Sequence, residues 1–179
     1  GFSAGQQAIP ERVLADDVSA DVRFAAIVAL GQLEDHESIE LVLARFEDGE
    51  PMVREAAIIA AGQLGDDRAL PALRKALREG TPPMRFQAVV ALAELAGQDA
   101  VEDVLAALDD ADAEVRGNAV VAVALLGDER AVPALVRRLN DSDNAVKREA
   151  AFALAELGDA RGASVLRDAL GDSARVLDA

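Results

Sequence analysis

Alanine stands at positions 26, 57, 88, 119 and 150, five times at a spacing of 31 residues without a slip, and its neighbours repeat with it. Val22-Arg23 returns as Val53-Arg54, Met84-Arg85, Val115-Arg116 and Val146-Lys147, and Leu33, Leu64, Leu95, Leu126 and Leu157 close the same unit. A fixed period of about 20 to 50 residues means stacked supersecondary units, none of which can bury its apolar face alone. Residues 8–179 are therefore expected to form one continuous domain. Gly1–Gln7, small, polar and without a repeat match, reads as a linker or an appended segment.

Each period holds two helical patterns. In the second unit Val53, Ala57, Ala60, Ala61 and Leu64 recur at spacings of three and four, which places them on one face of a helix and predicts that face as core. A second stripe of Leu70, Leu73 and Leu77 predicts a helix over about 69–78, antiparallel to the first, with Arg74, Lys75 and Arg78 on its wet side. Gly65-Asp66, Gly127-Asp128 and Gly158-Asp159 supply a helix stop and then a carboxylate for unpaired backbone N–H groups. Pro71 and Pro133 fall where the second helix begins and a missing N–H is harmless; Pro51, Pro82 and Pro83, with Asp112 and Asp143, mark the start of first helices. The Ala26 column and the column of Ala29, Ala60, Ala91, Ala122 and Ala153 leave no bulk where helices cross.

Composition narrows the function. With 33 acidic against 18 basic residues the formal charge is −15, which repels phosphate and argues against a nucleic-acid partner. The absence of cysteine excludes disulfides, thiolate metal sites and a Cys nucleophile. No apolar run reaches the roughly 18 residues of a membrane span, and no signal-peptide pattern opens the chain, so the expectation is a cytoplasmic protein without a membrane partner.

The unit is written most fully as Val115-Arg116, Ala119, Ala122, Leu126, Gly127-Asp128, Arg130-Ala131, Pro133 and Leu135. It resembles the HEAT repeat, in particular the HEAT-like class also found in phycobilisome lyase subunits, and the likeness runs from Ala8 to about Ala174. The resemblance implies an all-α fold, a right-handed α-solenoid of stacked antiparallel helix pairs, with about five and a half HEAT-like repeats here. It also implies that the Val-Arg helices line the concave side. Asp48, Glu79, Asp110, Asp141 and Asp172 would then form an inter-repeat ladder with Arg23, Arg54, Arg85, Arg116 and Lys147. The third unit departs from the pattern: Ala96-Gly97-Gln98-Asp99 replaces Gly-Asp-x-Arg, and a locally altered turn is expected. Ala8–Ala15, with Pro10, matches the end of a second helix, and Val176-Leu177 the start of a sixth first helix. Neither end has the polar character of a cap, so a longer array or a covering chain is expected.

A helix packed on one face should be polar on the other. The outward face of the Val-Arg helices instead carries Phe24 and Val28, Ile59, Phe86 and Val90, Val121 and Leu125, and Phe152, with Met52 at a helix start. Contiguous apolar patches of several hundred Å² mark binding surfaces, whereas scattered ones shielded by neighbouring helices mean nothing. Gln32, Gln63, Gln87 and Asn118 interleave with the strip, as do Glu94 and Glu156; amides suit the backbone of an extended peptide or a helix, and carboxylates favour basic neighbours. Gly117 leaves either a gap beside Val121 or a plain weak point in a helix. Full burial of six such apolar side chains would supply on the order of 10 kcal/mol before association costs.

No catalytic, cofactor or metal site is expected. His36, the sole histidine, lies in an inter-helix turn. The iron-holding His-Glu pairs of deoxyhypusine hydroxylase, another HEAT-like family, are replaced here by Phe24-Ala25, Glu55-Ala56, Phe86-Gln87, Gly117-Asn118 and Arg148-Glu149. Two functions follow as expectations: a protein-binding scaffold or adaptor using the concave strip, self-association included, or, from the resemblance, a phycobilin lyase or chaperone-like chromophore-handling subunit.

Overall fold

The structure is a computed structural model, and it describes residues 18–167. Gly1–Gln7, Ala8–Ala15, Asp172 and Val176-Leu177 lie outside the described residues. The chain forms two compact units, divided between Ala96 and Gly97.

The first unit contains α1 (Ala20–Gln32), α2 (Ile39–Ala44), α3 (Pro51–Leu64), α4 (Leu70–Glu79) and α5 (Pro82–Ala96). The second contains α6 (Val101–Ala107), α7 (Ala113–Leu126), α8 (Val132–Arg138) and α9 (Asn144–Glu156), followed by helix over 160–167. Among the described residues there is no strand. Each Val-Arg helix is followed by a tight turn and a shorter helix, as the two stripes per period require. In the first unit α3 packs against α1 and α5, and α4 against α5; in the second α7 packs against α6 and α9.

The core columns obey the period. Ile27 and Ile58, with Val89, are sealed in the first unit, and Val120 and Ala151 in the second. All five residues of the predicted α3 face are buried, and Leu73 and Leu77 join them from α4. The alanine columns are buried from α3 onward, whereas in α1, the first Val-Arg helix, Ala26 is half-buried and Ala29 exposed. Small residues do set the α1–α3 and α3–α5 spacing at two glycines that sequence reasoning passed over. A Cβ on Gly31 would stand 3.0 Å from Ala60 Cα, and one on Gly62 3.0 Å from Ala91 Cβ.

The turns behave as their residues dictate. Gly65, Gly127 and Gly158 take left-handed φ values of 63°, 65° and 77°, and Asp66, Asp128 and Asp159 accept from the backbone N–H two residues on while their carboxylates clasp Arg68, Arg130 and Arg161. In the third repeat α5 runs on to Ala96 and Gly97 becomes the left-handed residue, the expected change of turn; Gln98 Nε2 then donates to Leu126 O at 2.6 Å. Asp112 and Asp143 cap α7 and α9 by accepting from backbone N–H groups.

Candidate interaction surface

The ladder fixes the Val-Arg helices from behind. Arg23 donates from Nε and Nη2 to Asp48 at 2.9 and 2.7 Å, and Arg116 repeats the fork on Asp141 at the same distances. All four residues are buried, and each aspartate also accepts from a backbone N–H two residues on. The fork favours the charged carboxylate: Arg116 holds Asp141 down to about 2, and Arg23 lowers Asp48 in the same way, in both cases against the opposing effect of burial. The corresponding rung between Arg54 and Glu79 is not made, a correction to the expected ladder. The short helices add exposed ion pairs, Arg68–Glu40, Lys75–Glu47 and Arg130–Glu102, which the sequence reading missed.

With their buried side fixed, α1 and α3 turn a second face outward. Phe24, Val28 and Gln32 of α1 and Met52, Ile59 and Gln63 of α3 line one groove of about 200 Å³, floored by Ala56 and Ala60 and flanked by Glu55. The structure thus brings together six of the residues expected on the strip. Phe24, Met52 and Ile59 remain 36%, 39% and 41% exposed, so this unit's own helices do not seal them. Phe86, Gln87 and Val90 of α5 are only half-buried. In the second unit Val121 and Leu125 of α7 and Phe152 of α9 are 41%, 82% and 52% exposed, and Asn118 is half-buried.

The gross apolar term needs revision on these exposures. Phe24, Met52, Ile59 and Val121 are already more than half covered and yield on the order of 1 kcal/mol each on further burial, not the 1.5–3 of full transfer, so the six-residue sum falls below what full burial predicts even though Leu125 and Phe152 keep most of theirs. Polar contacts from Gln32, Gln63 and Glu55 must supply the remainder of any useful affinity. His36 is exposed in its turn, where its carbonyl accepts from Arg68 at 3.3 Å. Among the described residues no three His, Asp or Glu side chains gather as a metal-holding cluster, and no helix is long and apolar enough to cross a membrane.

The sequence model of the HEAT repeats family matches residues 11–93 and 101–179, and that of the PBS lyase HEAT-like repeat matches residues 84–110. No curated protein matches the chain. Among solved structures, the chain is similar to the complex of CpcE and CpcF of phycocyanin lyase from Nostoc sp. PCC7120, with a TM-score of 0.68 at 24% identity over 90% of this chain and 70% of that one. It is also similar to YibA of Escherichia coli, with a TM-score of 0.67 at 22% identity over 95% of this chain and 65% of that one. An engineered protein aligns with a TM-score of 0.57 at 21% identity, over 83% of this chain and 78% of that one. At these identities the likeness is one of fold: a helical-repeat solenoid.

Proposed function

The chain belongs to the HEAT repeats family, and from that premise we propose that it is a non-catalytic scaffold or adaptor holding another protein on the outward face of its Val-Arg helices, the face expected to be concave. The observation that supports this reading is the α1–α3 groove, where Phe24, Met52 and Ile59 stay open beside Gln32 and Gln63. Exposed apolar side chains at helix spacing, rimmed by amides, suit an amphipathic helix or an extended peptide. The net charge of −15 and the carboxylate of Glu55 favour a basic one. Ile59→Glu and Val121→Glu should each weaken partner capture at least tenfold while leaving the far-ultraviolet circular dichroism unchanged. Undiminished capture by both variants overturns the reading. A mass that rises with concentration in sedimentation, and no longer does so in Ile59→Glu, would make the occupant a second copy of the chain.

A second reading, a bilin-handling lyase or chaperone subunit, is supported by the PBS lyase HEAT-like match over residues 84–110. The same strip would receive the chromophore. Mixing the protein with a bilin should then shift the absorption spectrum, and an unshifted spectrum removes this reading.

A further inference from the structure

The missing ladder rung coincides with a second cavity of the first unit, larger than the α1–α3 groove. Arg23 and Arg116 each use one guanidinium arm on backbone carbonyls of the loop before their helix and the Nε–Nη2 edge on a carboxylate 25 residues on. Arg54 completes the first half only: Nη1 donates to Asp48 O and Gly49 O at 2.6 and 3.1 Å, and no carboxylate of the described residues takes the other edge. The backbone supplies the reason. The helices before Asp48 and Asp141 end at Ala44 and Arg138, so those aspartates sit beyond the helix and turn back; α4 instead continues through Glu79 and closes on Gly80, whose N–H donates to Ala76 O. Gly80 is held to glycine here, because a Cβ would stand 2.4 Å from that same carbonyl oxygen.

Where the rung would be there is a cavity of about 390 Å³. Arg54 and Lys75 line it together with an apolar wall that includes Leu43, Phe46, Ala76 and Met84. Two carboxylates also reach it: Glu47 is held chiefly by Lys75 Nζ at 2.7 Å and feels the charge of Arg54 more weakly, without a hydrogen bond to it, and Glu79 lies exposed at the helix end. We propose that this cavity binds an organic carboxylate on an aliphatic stem, its head taking the open Nε–Nη2 edge of Arg54 as Asp48 and Asp141 take those of Arg23 and Arg116, its stem lying along Phe46, Ala76 and Met84. Guanidinium and carboxylate match as a fork, so recognition demands the charged head and not merely an apolar tail. Repulsion from the chain's overall charge is screened beyond about 10 Å at 0.1 M salt and does not decide the outcome at contact distance.

The chain contains two methionines, one at each candidate site: Met84 in this cavity and Met52 in the α1–α3 groove. Protein labelled with ¹³C at the methionine methyls, titrated with hexanoate, should move the Met84 signal and leave Met52 in place. Hexanol should bind at least tenfold more weakly, and Arg54→Gln should reduce hexanoate to the hexanol level. Ala72→Phe, which fills the cavity from the α4 wall and leaves residue 54 an arginine, should abolish the Met84 response and decides the matter should Arg54→Gln fail to fold. Equal affinity for hexanoate and hexanol, an unmoved Met84, or a response confined to Met52 overturns the proposal without bearing on the groove as a protein site.

Discussion

Asp141 and Glu79 occupy the same place in the repeat and differ by one methylene, yet one is buried in a guanidinium fork and the other stands in water. The difference is legible in the sequence only as Asp against Glu; that α4 carries Glu79 past the point of return is decided by the helix and not by the residue. Removing one partner of such a buried pair costs about 3–5 kcal/mol, so Asp141→Asn should lower stability by about that much near neutral pH. The sign with pH follows from the depressed carboxyl. Its contribution is full above the ordinary carboxylate value near 3.8 and is lost as pH falls through about 2. Urea denaturation at a series of pH values should therefore show the wild type losing its advantage over Asp141→Asn across that window; a constant difference would contradict the assignment. Glu34 carries a second local conflict. It takes φ 52° where the next unit has Gly65 at 63°. A left-handed non-glycine residue costs about 1–2 kcal/mol, part of which glycine returns as lost chain entropy, so Glu34→Gly should raise stability by about 1 kcal/mol in the same denaturation experiment.

Helices were the most legible level, because a period of 3.6 inside a period of 31 leaves few alternatives. The Val53–Leu64 face, the glycine stops and the aspartate caps all stand where spacing predicted them. What spacing could not give was the shortness of the second helices, as in Ile39–Ala44 and Val101–Ala107, or the close approach at Gly31 and Gly62, since glycine in a helix reads as weakness until its neighbour is known. Gly117 shows the opposite outcome. It lies inside α7, and a Cβ there would meet only Val146 Cγ2 at an ordinary 3.8 Å. No packing demand holds it to glycine, so Gly117→Ala should stabilise the protein by about 0.5–1 kcal/mol; thermal unfolding followed by circular dichroism checks it, and a loss of stability would show that the gap is used.

For the whole molecule, the sequence carried the fold further than the function. A repeat gives equivalent positions one environment, and Ile27, Ile58, Val89, Val120 and Ala151 are accordingly all buried, although only the Val53–Leu64 face was legible as core beforehand. What a repeat leaves exposed is not set by its period: whether Phe24 and Ile59 would be covered depended on neighbouring helices, and in the structure they stay open and converge with Met52 on one groove. The carboxylate cavity was not legible at all, because it arises from a rung that fails to form. The central claim is that another protein covers the outward face of α1 and α3. Site-specific photo-crosslinking in the host cell tests it most directly, with the reactive residue placed at Ile59 and, as a control on the opposite helix, at Arg78. The account predicts a discrete protein adduct from position 59 that is absent from position 78 and disappears on Phe24→Glu; adducts of the same pattern from both positions, or none from position 59, would contradict it.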